Sequence, residues 1–175
     1  MPRGMAKQAL SLPNRVAAGT TLVAVLTVAL WASRPVDGAM EFGLGSSGRS
    51  RAQLSPLHVP VRFEGFYGSE PWGRWTEGDT AHIRFGRPVP ADFRLVVRGR
   101  AFGPNVDAPV RVCVEDECQL VRLAAQDRRV QLEFRGHGGA RRVTFHIPHP
   151  SSPGNGDDRQ LGIGIVSLRV EDAAR

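Results

Sequence analysis

The chain has only two cysteines, Cys113 and Cys118, and neither has the neighbouring Cys or His partners that a zinc site needs. His146 and His149 are spaced by three, which in an extended segment stiffened by Pro148 and Pro150 puts them on opposite faces. No serine lies in a strand-turn-helix elbow, and no Cys/His pairing signature is present, so nucleophilic catalysis lacks its parts. Asp157 and Asp158 sit in a Gly-rich loop with too few ligands in sequence to form a calcium loop. Neither a metal nor a cofactor is expected. Helical periodicity is missing beyond the first apolar segment, and no fixed-period repeat is visible.

Lysine is almost absent too: Lys7 stands alone against 22 arginines. The formal charge of +6 is unevenly spread. Residues 1–53 carry six basic side chains (Arg3, Lys7, Arg15, Arg34, Arg49, Arg51) and two acidic ones (Asp37, Glu41). The other 122 residues carry 17 basic and 15 acidic groups, close to balance. The excess therefore belongs to an N-terminal arm, where it can orient insertion or meet anionic headgroups. Nucleic acid is not the expected partner.

One uncharged apolar run is present, Val16 to Ser33 (VAAGTTLVAVLTVALWAS). At about 1.5 Å per residue its eighteen residues would span roughly 27 Å, enough for a thin bilayer. Arg15 and Arg34 bracket it and can reach the two interfaces. The positive-inside rule places the N-terminus in the cytoplasm and the rest outside. The expectation is a single-pass anchor in the cytoplasmic membrane, with the domain on the periplasmic side. A cleavable signal peptide is the competing reading, with Thr27-Val28-Ala29 as its small-x-small site. The divisions expected are a basic tail 1–15, the anchor or signal segment 16–33, a Gly/Ser/Arg linker 34–56, and a domain 57–172.

Within that domain the apolar period is two. Val59, Val61 and Phe63 alternate with polar residues, as do Ala81, Ile83 and Phe85, and then Phe93, Leu95 and Val97. Val110/Val112/Val114, Val121/Leu123, Val130/Leu132/Phe134 and Val143/Phe145/Ile147 follow. The last run starts in one phase (Leu161, Ile163, Ile165) and ends in the other (Val166, Leu168, Val170), which predicts a β-bulge. Eight short strands joined by Gly/Pro turns predict an all-β sandwich, a jelly roll. In VRVCVEDECQLV, a Glu115-Asp116 turn sets Cys113 opposite Cys118 in a non-hydrogen-bonded pair, on the solvent side of the hairpin. Side chains come closest in such pairs, so a disulfide is expected.

Four stretches do not read as simple strand or turn: 65–76, 100–105, 147–153 and 155–163. The first holds Glu70, Trp72, Arg74 and Trp75. Flat aromatics suit the C–H faces of a sugar ring, and carboxylates and arginine forks suit its hydroxyls or an attached phosphate. The others contribute Arg100, Asn105, His149, Asp158 and Arg159 as further candidates for a ligand site. A structural role is the alternative, with Trp75-Thr76 in the core and Glu70–Arg74 a local ion pair.

The stretches GFYGSEPWGRWTEG, FRLVVRGRAFGPNV, VTFHIPHPSSP and RQLGIGIVSLRV occur in the order seen in one family. In them the chain resembles the C-terminal periplasmic domain of the phosphoglycerol transferases that decorate osmoregulated periplasmic glucans. The first motif is also similar to β-sandwich modules appended to membrane glycosyltransferases. The resemblance covers residues 63–170. In that family catalysis belongs to a metal-dependent sulfatase-like domain preceded by several membrane helices. One apolar segment and a short arm stand in that place here, so no catalytic residue carries over. Cys113 and Cys118 are not part of the family pattern. The resemblance implies an accessory module outside the membrane, among sugars, phosphoglycerol groups or lipid headgroups. With the apolar run 16–33 as its tether, the expected function is a non-catalytic module binding envelope glycan or polar headgroups. The alternative is a subunit that docks on a membrane-bound transferase.

Overall fold

The computed structural model describes residues 39–46 and 60–173. Ten strands lie among them: β1 (Met40–Gly43), β2 (Val61–Glu64), β3 (Arg74–Glu77), β4 (Thr80–Phe85), β5 (Phe93–Ala101), β6 (Pro109–Val114), β7 (Glu117–Arg122), β8 (Arg128–Phe134), β9 (Arg142–His146) and β10 (Leu161–Asp172). All pairings are antiparallel. In the first sheet β10 is flanked on one side by β5 and then β8, and on the other by β3 and β1. The second sheet runs β2-β4-β9-β6-β7. The expected all-β, two-sheet class holds. The expected strand count does not, because ten strands replace eight.

Both extra strands have a physical cause. β1 falls inside the stretch expected to be linker, where Met40 and Phe42 are buried and alternate with exposed Glu41 and Gly43. That four-residue alternation is masked in sequence by the glycines and serines around it. β3 is short and interrupted in phase, with Arg74 and Trp75 half-buried and Thr76 fully buried. The segment expected to be an anchor lies outside the described residues.

The core is the apolar phase of both sheets. Phe93, Phe134, Phe145, Ile83, Leu95, Ile163, Ile165 and Leu168 are all fully buried, each contributing about 1.5–3 kcal/mol. Phe93 and Phe134 stack across β5 and β8 at 5.3 Å. The bulge expected in the last strand is present: Ile165 pairs with Gly99 and Ser167 with Arg98, leaving Val166 as the additional residue. Its effect is to keep Ile163, Ile165, Leu168 and Val170 all in the core while Gly164 and Ser167 both face outward.

The cysteines are bridged across the β6–β7 hairpin, Cα to Cα 4.1 Å. Glu115 takes the left-handed φ of 49° that a tight hairpin turn demands. The bridge is less exposed than its side of the hairpin suggests. Cys118 is exposed on the edge strand, but Cys113 is buried because β6 lies between β7 and β9, with Thr144 beside it.

Candidate functional site

The site begins with a narrow turn, Glu70 to Gly73. The Glu70 N–H donates to Gly73 O at 2.8 Å, and Ser46 N donates to Glu70 O at 2.8 Å. Gly73 lies so close to β10 that a Cβ would meet the Ile165 carbonyl oxygen at 2.3 Å. The chain then enters β3, where Trp75 pairs with Gly164, and Gly164 pairs on its other side with Arg100. Directly paired residues point to the same face of a sheet. Since Ile163 and Ile165 are core residues, the row Trp75–Gly164–Arg100 faces outward.

The missing side chain of Gly164 makes the floor. A Cβ there would lie 2.6 Å from Trp72 and 2.9 Å from Trp75. The two indoles meet edge to face at 5.1 Å over this floor, and Trp75 meets Phe102 in the same way at 5.9 Å. The Arg100 guanidinium lies 3.8 Å from the Trp72 ring centroid, a cation–π stack. Its buried Nε faces Asp127 Oδ1 at 3.4 Å, an ion pair outside hydrogen-bond geometry.

An acidic and arginine network holds Trp72 from behind. Its Nε1–H donates to Glu70 Oε2 at 2.7 Å, and Arg159 Nη1 donates to Glu70 Oε1 at 2.9 Å. Arg159 also grips Asp157, with Nη2 to Oδ2 at 2.7 Å and Nε to Oδ1 at 3.0 Å. These bonds hold the Asp157 carboxyl below the usual carboxylate range and raise Arg159 above its ordinary value. The Tyr67 ring lies 5.7 Å from the Arg159 guanidinium, and its hydroxyl accepts Gln160 N–H at 2.8 Å.

Of the sequence candidates, Glu70, Trp72, Trp75, Arg100 and Arg159 thus come together. Four others are placed differently. Arg74 pairs with core-facing Ile165, so it leaves β3 on the side opposite Trp75 and lies over Phe63 at 4.9 Å. Asn105 is fully buried; its Nδ2 donates to His149 O and Phe102 O while Oδ1 accepts His149 N–H, leaving no surface for a ligand. His149 has an exposed ring and is held through its backbone by that clamp. Asp158 is exposed, and its neighbour Asp157 is the carboxylate that engages Arg159. The sequence reading missed Tyr67, Phe102 and Asp157. Tyr67 carried a signal as the one tyrosine of the chain, lying within the aromatic stretch.

A family model described as Domain of unknown function (DUF7024) matches residues 55–172. The chain belongs to that family. Among curated proteins it is 33% identical over 120 residues to Phosphoglycerol transferase I of Citrobacter koseri, which covers 64% of this chain and 16% of the relative. It is 33% identical over 117 residues to Phosphoglycerol transferase I of Salmonella choleraesuis, covering 62% of this chain and 15% of the relative. The chain therefore spans about a sixth of the length of these relatives. The resemblance expected from four motifs is thus a match of the domain. Solved structures similar to it include a point mutant of a family 29 carbohydrate binding module, with TM-score 0.46 and 13% identity, covering 75% of this chain and 89% of that one. Another is a family 29 carbohydrate binding module with TM-score 0.44 and 14% identity, covering 75% and 87%.

Proposed function

We propose that this chain is a non-catalytic jelly-roll module that binds envelope glycan, accessory to a glycan-modifying enzyme. It is tethered to the outer side of the cytoplasmic membrane by its apolar segment 16–33. The carrying observation is the outward row Trp75–Gly164–Arg100, with Trp72 laid over the glycine and stacked by the guanidinium. Aromatic surface beside an arginine fork suits a sugar ring bearing hydroxyls or an anionic substituent. The matched domain of the relatives belongs to proteins named as phosphoglycerol transferases, which supports a ligand drawn from glycans or phosphoglycerol headgroups.

A second reading is a docking subunit for a membrane-bound transferase. It rests on the relatives, in which the matched domain is one part of a longer protein. Affinity electrophoresis of the full chain in gels containing periplasmic glucan separates the two. The binding reading expects retardation that Trp72→Ala abolishes. Unretarded migration, together with co-purification of a transferase, establishes docking instead. For the tether, alkaline phosphatase fused after Arg175 should be active; inactivity there refutes the outward placement.

A further inference from the structure

The Cys113–Cys118 bridge takes no part in the aromatic floor. It belongs to the second sheet, where β6 and β7 pair, whereas the floor belongs to the first. As a staple it adds little. The β6–β7 ladder already holds the two residues opposite each other, and Val110, Val112 and Val114 anchor β6 in the core. The cysteines are separated by only 5 in sequence, and short loops gain least from a bridge. The fold therefore survives its opening.

The position of the bridge suits attack by a thiol. β7 ends the second sheet and pairs there only with β6. Counted from the two-residue turn, Cys118 and Leu120 occupy the non-hydrogen-bonded positions of that ladder. Their main-chain N–H and C=O groups thus point out to the open edge. Such an edge is a template for an incoming extended segment. Cys118 is exposed beside it. Leu120, two residues on and on the same face, is 67% exposed, the most exposed large hydrophobic side chain among the described residues.

The other sulfur is placed as a leaving group. Cys113 is buried, with Thr144 opposite it on β9 and Arg111 on the same face of β6, about 7 Å along the strand. Arg142, two residues before Thr144, lies on the diagonal. Neither arginine is in an ion pair among the described residues, so both cations favour a thiolate at Cys113. The nearby carboxylates are otherwise placed: Glu115 and Asp116 stand in the exposed turn, and Glu117 is held by His137 at 2.7 Å.

We propose that this bridge is an exchange site for a dithiol protein, which docks an extended segment along the open edge of β7 and attacks Cys118. The partner's thiolate sulfur bonds to Cys118 Sγ as the bond to Cys113 breaks, and the electron pair leaves on Cys113 Sγ. The partner's second thiol, deprotonated, then attacks the partner sulfur now bonded to Cys118 and expels Cys118 as a thiolate. The two protons that the partner gives up end on Cys113 and Cys118. Two electrons pass in all: the partner dithiol is oxidised to a disulfide and the two cysteines are reduced to thiols. The site lies on the other sheet from Trp72 and does not rest on glycan binding.

The probe is thioredoxin with its second active-site cysteine changed to serine, which stops the exchange at the mixed disulfide. Incubated with the oxidised full chain in native buffer, it should form a one-to-one adduct that peptide mass spectrometry places on Cys118. Dithiothreitol should open the bridge at a rate that sub-denaturing urea does not raise, and the reduced chain should keep the tryptophan fluorescence of the folded state. Leu120→Asp should slow adduct formation about tenfold, as for a lost interface anchor. Its reduction by dithiothreitol should be unchanged, which separates a lost docking contact from a lost fold. Arg111→Gln combined with Arg142→Gln should slow both reactions several-fold, because Cys113 becomes a poorer leaving group. Adduct formation only in unfolding concentrations of urea, an adduct on Cys113, or a Leu120→Asp protein that reacts with thioredoxin at the wild-type rate overturns the site.

Discussion

The Arg100 guanidinium lies 3.8 Å from the centre of the Trp72 ring while Glu70 holds the same indole by its Nε1–H. Trp72 is therefore fixed on two sides and half-buried, neither a core residue nor a free surface aromatic. Trp72→Ala should cost about 2 kcal/mol by urea denaturation, below the roughly 3–5 kcal/mol of a core tryptophan. Glycan binding should fall by about 1–3 kcal/mol, as at an interface anchor. Arg100→Lys keeps the charge but loses the plane. It should shift tryptophan fluorescence and weaken binding several-fold, with under about 1 kcal/mol lost in stability.

Asn105 makes three side-chain hydrogen bonds, two that tie the 3-10 turn Gly103–Asn105 to the backbone of His149 and one to Phe102 O. Asn105→Ala leaves buried carbonyl and N–H groups without partners. About 2–3 kcal/mol of stability should be lost, measured by thermal or urea unfolding. Glycan retention by the fraction that stays folded should be unchanged. Selective loss of retention at wild-type stability would return Asn105 to the ligand site.

The Cys113–Cys118 bridge closes a loop of only a few residues, their separation being 5. On chain-entropy grounds the paired substitution Cys113→Ala with Cys118→Ala should cost about 2 kcal/mol. Urea curves with and without reductant measure this, and peptide mass spectrometry of the unreduced chain should find the two cysteines joined. Two freely alkylatable thiols in exported protein would contradict the bridge.

Two groups set the acid response. Burial and Arg142 push the His82 pKa below its ordinary value. The unfolded chain takes up that proton first, so stability should begin to decline as pH falls below about 6.5 and level off below the folded value. His82→Gln should remove this step. Asp157, held down by Arg159, acts in the same sense lower on the scale. Its contribution is complete above about pH 4 and is lost as pH falls through the folded value. The Arg159 Nε–H resonance should accordingly be constant from pH 8 to 5 and change only in strong acid.

The eight long alternating segments were legible because each has one face in the core, and a period of two survives any local detail. The bulge could be read for the same reason: Leu161, Ile163 and Ile165 cannot share a face with Leu168 and Val170 unless one residue is added between them. β1 was not legible, since two apolar residues among glycines give no period. At the site, proximity in sequence served for Glu70, Trp72 and Trp75, and it misplaced Arg74, because neighbours on a strand point apart. Asn105 looked available because it is polar and in a loop. The reverse holds: its amide replaces backbone partners that a buried turn lacks. The open edge beside Cys118 needed the order of strands in the sheet, which no local pattern supplies.

Gly164 has a consequence for lineage. Any side chain at this position would collide with both indoles, while the strand pairing and the core phase of β10 would survive. A relative with alanine or larger there should keep the sandwich and lose the aromatic floor. A single alignment column is thus a marker that divides the family into chains able to seat the two tryptophans and chains that inherited only the frame.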